Sequence, residues 1–165
     1  MATTLGTMVE LQALRADEPR ARALLGTYFG FRAETFPAGK PYTPAFPDAA
    51  VFTPPAGVFL VVVTDEGVDA GCGGVRRIAD GPLGIRYEVK HLFVDPSGRG
   101  RGWGRLLLAD LERHARGWGA AELVLDTHHT LEAAAGLYAA AGFTGIDAYN
   151  DNPNATRWYG KRLTD

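Results

Sequence analysis

The stretch Arg99-Gly100-Arg101-Gly102-Trp103-Gly104-Arg105 interleaves three guanidinium groups with three glycines. Glycine lets backbone N–H groups approach an anion closely, and arginine adds full positive charge. Upstream, Val89-Lys90-His91-Leu92-Phe93-Val94 reads as a buried strand, followed by the turn Asp95-Pro96-Ser97-Gly98. Downstream, Leu107, Leu108, Leu111, Ala115 and Trp118 recur at helical spacing. A strand that runs through a glycine loop into a helix start is a phosphate cradle. The first helical turn carries N–H groups without partners and a partial positive charge. A phosphorylated ligand is expected here.

Spacing narrows the ligand. A nucleotide P-loop needs a lysine directly after its last glycine, but the lysines are Lys40, Lys90 and Lys161. A dinucleotide fingerprint, GxGxxG, fails from each start: the third glycine would fall on Trp103, Arg105 or Leu107. Arg99-Gly100-Arg101-Gly102-Trp103-Gly104 does satisfy Arg/Gln-x-x-Gly-x-Gly/Ala, and Gly98 lies outside that spacing. Further on, Leu123-Val124-Leu125-Asp126-Thr127 is followed by Leu137-Tyr138 and Gly142-Phe143.

Together these segments resemble the GCN5-related N-acetyltransferase (GNAT) superfamily, in its bacterial small-molecule type. The resemblance runs from about residue 58 to 163, ending in Tyr149-Asn150-Asp151-Asn152-Pro153 and Trp158-Tyr159-Gly160. It implies acetyl-CoA as acyl donor. Its holders would be Leu92, Phe93, Val94, Arg99, Gly100, Arg101, Gly102, Trp103, Gly104 and Arg105. The backbone of Leu92 and Val94 would grip the pantetheine arm, and the Leu92 N–H would meet the oxyanion. One family position departs: an Asn or Gln that often contacts CoA is here Leu131.

Direct acetyl transfer to an amine sets acid–base demands. An alkylammonium, of reference pKa about 10.4, must lose a proton before it attacks. The departing thiolate, near 8.5, gains from a proton donor. By resemblance Glu88 is the base, acting through water, and Tyr138 the acid. Read from the residues alone, Glu88 is as readily a solvated strand glutamate, and His128 or His129 could serve as base instead. Tyr28, His128, Asn150 and Asp151 are candidate acceptor contacts, although Tyr28 also suits ordinary packing and the Asn-Asp pair suits a turn. His128 and His129, adjacent at a strand end, are expected to point apart, so no metal site is expected.

Composition bounds the rest. The chain has 165 residues, net charge −2 and 46% hydrophobic content, which fits one domain spanning 1–165 and argues against nucleic-acid binding. A single cysteine, Cys72, excludes an intrachain disulfide. No apolar stretch approaches the roughly 20 residues of a membrane span, and residues 1–5 lack a secretory leader, so a cytoplasmic protein is expected.

The elements that must position these groups follow from periodicity. Strands are expected at 8–11, 59–64, 68–78, 85–94, 122–127, 143–149 and 157–163, with helices after Asp17-Glu18-Pro19, over 105–118 and over 130–141. Residues 36–55, rich in proline, read as a long connection. Gly71, Gly73 and Gly74 suggest a bulge or a close backbone approach. The expected fold is α/β: a single mixed, largely antiparallel sheet of six or seven strands with helices on both faces. By resemblance, closing strands that pair between subunits leave a homodimer open. A CoA-binding sensor without turnover and a protein acetyltransferase stand as alternatives to the small-molecule enzyme.

Overall fold

A strand whose side chains are apolar at both parities has to be covered on both faces, and Val58-Phe59-Leu60-Val61-Val62-Val63 is such a strand. The computed structural model describes residues 8–42 and 44–164. The expectation for residues 1–5 falls outside the described residues. The elements run β1 (Val9–Ala13), α1 (Pro19–Thr35), β2 (Gly57–Thr64), β3 (Asp69–Gly81), β4 (Gly84–Val94) and α2 (Trp103–Gly117). They continue with β5 (Glu122–Thr127), α3 (Glu132–Ala140), β6 (Thr144–Gly145) and β7 (Arg157–Arg162).

The strands form one seven-stranded sheet in the order β1-β2-β3-β4-β5-β7-β6. All neighbours are antiparallel except β4 and β5, which α2 connects as a parallel pair. Val58, Leu60 and Val62 enter one core with Leu107, Leu108 and Leu111 of α2 and Tyr138 of α3. Phe59, Val61 and Val63 enter a second core with Leu24, Leu25 and Phe29 of α1. The expected mixed sheet with helices on both faces is the observed one. No helix among the described residues is long and apolar enough to cross a membrane.

Strand β4 is not the continuous strand that its pattern suggests. Its pairing with β3 passes from Gly74↔Lys90 to Cys72↔Phe93, so Gly73 alone opposes His91 and Leu92. His91 takes φ 57, a left-handed conformation rare outside glycine. This bulge inserts one residue and inverts the side-chain phase. Tyr87 and Val89 face the α2 core, as do Leu92 and Val94, while Phe93 turns into the α1 core. Pairing with β5 runs only from Arg86↔Glu122 to Glu88↔Val124. Beyond Glu88 the two parallel strands part.

Three expected elements differ in extent. Of 143–149 only Thr144–Gly145 pairs as a strand; after Ile146 N–H donates to the Trp158 carbonyl at 3.0 Å, the chain leaves the sheet. The third helix starts at Glu132 because Leu131 N–H closes a turn on the His128 carbonyl at 3.0 Å. The connection 36–55 contains one 3-10 turn, Ala49–Phe52, capped by the Asp48 carboxylate on Ala50 N–H.

The α1-side core and the bulge both require β3 to lie close against β4. A Cβ on Gly71 would sit 2.7 Å from the Phe93 carbonyl oxygen, a backbone atom that cannot move alone. Gly71→Ala is therefore expected to destabilise the protein by about 2 kcal/mol, read by chemical denaturation. A midpoint unchanged from the parent would show that β3 and β4 can separate freely at this point.

Candidate active site

Where β4 and β5 diverge, two cavities open and meet. The larger, about 880 Å³, is bounded by Phe93 and Val94, the loop 98–105 and the start of α3. The smaller, about 550 Å³, is bounded by Phe29, Tyr42, Phe46, Arg76, Lys90, His91, Asp126 and Asn150 among others. Tyr28, Arg32, Leu92, Leu131, Ala134 and Tyr138 line both.

The loop builds the first cavity from backbone. Asp95 caps the short turn Pro96–Gly98 by accepting from Ser97 N–H at 2.9 Å. Gly100 and Gly102 then take φ +78 and +82, which side-chain-bearing residues adopt only at a cost of about 1 kcal/mol or more. Gly102 is the N-cap of α2, and the first intrahelical bond in this turn is Leu106 N–H to the Gly102 carbonyl. The N–H groups of Trp103, Gly104 and Arg105 consequently stay free of helical partners beside the cavity. Arg99 lies over the Phe31 ring at 4.9 Å and Arg101 over the Trp103 ring at 5.5 Å. Gly98 serves packing: a Cβ there would strike the Trp103 ring at 2.2 Å. The arrangement fits an anionic, nucleotide-like tail.

The second cavity is built from charge. Lys90 Nζ donates to Asp126 at 3.1 and 3.3 Å, and Asn150 Nδ2 donates to Asp126 at 2.7 Å. Trp158 Nε1 fixes Asn150 by donating to its Oδ1 at 2.9 Å. Burial pushes the Asp126 carboxyl up, but the Lys90 charge and hydrogen bonds from Asn150, Asn152 and Lys90 outweigh it, and the net shift is downward. Asp126 is therefore ionised at neutral pH.

Glu88 is not the solvated residue its alternation suggests. It is 1% exposed, because both faces of the sheet are covered. Arg76 donates to Oε1 through Nε at 3.0 Å and Nη2 at 2.8 Å, and Tyr149 donates to Oε2 at 2.6 Å. Lys90 lies 3.9 Å from Oε2, bridging Glu88 to Asp126. Glu88 does not itself bound either cavity; its neighbours Arg76 and Lys90 do. Asp126 and Tyr149 lie in segments that carried the family resemblance, but nothing local marks them, or Arg76 and Lys90, as partners of Glu88; only the fold brings them together.

Tyr138 is 6% exposed and stands in the wall common to both cavities. Burial raises its pKa, so the phenol keeps its proton, and among the described residues its hydroxyl has no hydrogen-bond partner. His91 is pushed down to about 3 by burial and then by Lys90 and Arg76, and is neutral at physiological pH.

His128 and His129 do not point apart: their rings stack at 4.4 Å, because the chain turns immediately after β5. His128 is buried against Phe36 with Nδ1 2.7 Å from Thr130 Oγ1, and its pKa is lowered, first by burial. Neither histidine bounds either cavity, and nor does Asp151, which is exposed. Tyr28 and Asn150 do.

A cavity lined by a glycine-and-arginine loop thus meets a charged one at a protonated phenol. The chain belongs to the acetyltransferase (GNAT) family, whose pattern matches residues 14–143. It is 35% identical over 102 residues to an uncharacterised N-acetyltransferase of Schizosaccharomyces pombe, covering 62% of this chain and 61% of that protein. It is 33% identical over 132 residues to the N-alpha-acetyltransferase RimI of Mycobacterium tuberculosis, covering 80% and 75%. A GNAT-family acetyltransferase from Staphylococcus aureus shares the fold at TM-score 0.78 and 16% identity, over 95% of this chain and 100% of that one.

The Asp126 pairing makes stability depend on pH in a defined direction. A carboxyl whose folded-state pKa is depressed stabilises the fold above its unfolded pKa, and this contribution fades as pH falls. At pH 7, Asp126→Asn leaves Lys90 with Glu88 alone, 3.9 Å away, and is expected to cost about 2 kcal/mol. The gap between parent and variant should narrow as pH drops below about 4. Thermal melts across pH 3–7 read it; a gap independent of pH would mean that Asp126 carries no charge worth losing.

Proposed function

We propose that the protein transfers an acetyl group from acetyl-CoA to the primary amine of a small-molecule or amino-acid-like acceptor, by direct attack in a ternary complex. The observation that carries this reading is the Tyr138 phenol, which keeps its proton and stands in the wall where the loop-lined cavity meets the charged one.

In this reading the pyrophosphate of CoA rests on the free N–H groups at the start of α2, with Arg99, Arg101 and Arg105 supplying charge. The pantetheine arm lies along β4 beyond Glu88, where β5 no longer pairs with it, and uses the Leu92 and Val94 backbone as an added strand would. The thioester then reaches the junction. The amine nitrogen attacks the carbonyl carbon while the Leu92 N–H meets the developing oxyanion. As the C–S bond breaks, Tyr138 gives its proton to the leaving thiolate. The ammonium proton leaves beforehand through water to the Glu88 carboxylate, which lies behind Arg76 and Lys90 of the cavity wall. Leu131, lining both cavities, replaces a polar CoA contact with an apolar one.

Glu88→Gln is expected to lower turnover at neutral pH by about a hundredfold while acetyl-CoA affinity, read by calorimetry, stays near the parent value. Equal losses in both would make Glu88 a structural residue. Tyr138→Phe should slow thiol release by a similar factor with the melting temperature held; unchanged turnover would remove Tyr138 from the mechanism.

A thiol-release assay over a panel of amines tests the reading as a whole. Acetyl-CoA binding without acceptor-dependent release on any amine would make the protein a CoA-binding module. The similarity to a relative named for N-alpha-acetylation favours a second reading, transfer to a protein N-terminus. Mass spectrometry of peptides and protein extracts after incubation separates the two.

A further inference from the structure

Three cations bound the smaller cavity, and two of them are neutralised. Arg76 is paired with Glu88 at 2.8 Å and Lys90 with Asp126 at 3.1 Å. The third, Arg32 on α1, is 8% exposed, yet among the described residues no carboxylate lies within 4 Å of it. Its hydrogen bonds go to neutral oxygens: Nη1 to the Tyr28 hydroxyl and Nη2 to the Asn154 carbonyl, both at 3.2 Å. Its guanidinium also lies over the Tyr42 ring at 5.4 Å. A guanidinium has five N–H donors, so donors remain on Arg32 that no acceptor among the described residues takes.

Burying an uncompensated charge costs several kcal/mol, and proteins normally pair such a group or abandon it. Arg32 is nevertheless held, from three elements, at the wall shared by both cavities. The planar fork matches a carboxylate in bidentate geometry. Asp126, paired with Lys90, borders the same cavity and gives an acceptor amine a carboxylate neighbour. The phosphate-recognising groups of the loop 99–105 belong to the other cavity, so the donor's charges already have partners there.

Resting on the acetyltransferase reading above, we infer that Arg32 is the specificity-determining residue for the acceptor, binding the carboxylate of an amine that carries one. The acceptor class is thus a free amino acid or a close analogue, with its carboxylate on Arg32 and its amine between Asp126 and the Tyr138 junction. The aromatic wall of Tyr28, Phe29, Phe46 and His91 receives its apolar portion. A peptide N-terminus has an amide where this anion is required.

The test compares L-amino acids with their matched L-amino acid amides as acceptors in the thiol-release assay. The parent protein should favour the acid of at least one pair by about tenfold or more in kcat/KM, the worth of a charge-assisted hydrogen bond. In Arg32→Gln that preference should collapse, the loss falling mainly on KM for the acid, with acetyl-CoA affinity by calorimetry near the parent value. Arg32→Lys, which keeps the charge but not the fork, should restore part of the preference, and serves as the reporter if Arg32→Gln does not fold. Equal use of acid and amide by the parent would overturn the inference. So would equal losses on both acceptors, or acetyl-CoA affinity falling in step with them.

If no amine supports thiol release, the transferase reading fails, and the Arg32 site is judged by binding alone. In the presence of CoA, N-acetyl amino acids should then bind more tightly than N-acetyl amino acid amides, and Arg32→Gln should abolish the difference. Equal binding of the two would remove the anion site as well.

Discussion

The rest of the site depends on one extra residue in β4. An uninterrupted strand would keep Tyr87, Val89, His91 and Phe93 on one face and would present a straight edge for β5 to pair along. The bulge at His91 inverts the phase, sending Phe93 to the α1 core and Leu92 and Val94 to the α2 core. It accompanies the loss of pairing with β5 after Glu88, and both cavities open in the gap that follows. An all-parallel or fully paired sheet would have closed that gap with hydrogen bonds, because unpaired buried backbone groups are costly. Here the unpaired edge borders a cavity.

The two cavities rest on different physics. One is a backbone device: positive-φ glycines and a helix N-terminus supply donors whose position is fixed by main-chain geometry. The other is a side-chain device, in which Arg76, Glu88, Lys90 and Asp126 form a continuous chain of alternating charge, braced by Tyr149 and Asn150. Such a network is expensive to break and holds its members within a narrow range of positions. Arg32 stands outside that chain of pairs, which sets it apart from every other cation around the cavity.

The irregular segments are as important to this arrangement as the regular ones. After Ile146 the chain abandons the sheet, and that departure lets Tyr149 reach Glu88 and Asn150 reach Asp126. The proline-rich connection brings Tyr42 over Arg32 and Phe46 against Phe29. Both segments lie over the α1-side face of the sheet, roofing the smaller cavity.

Much of this was legible in the residues by themselves. The glycine-and-arginine loop, the leucine stripe of α2 and the doubly apolar β2 are local patterns. Backbone dihedral preference and side-chain periodicity are properties of neighbours in the chain, so the sequence determined the loop's conformation, the elements and the two-faced sheet. The charge network was not legible. Arg76 and Glu88 are 12 residues apart, Lys90 and Asp126 36, Glu88 and Tyr149 61, and Arg32 and Asn154 122. Whether Glu88 faced water or Arg76 depended on which elements covered the sheet. Which side chains shared its face depended on strand register and on a bulge that no alternation pattern announces. Only the tertiary structure decided those, because Coulomb and hydrogen-bond partners are selected by distance in space.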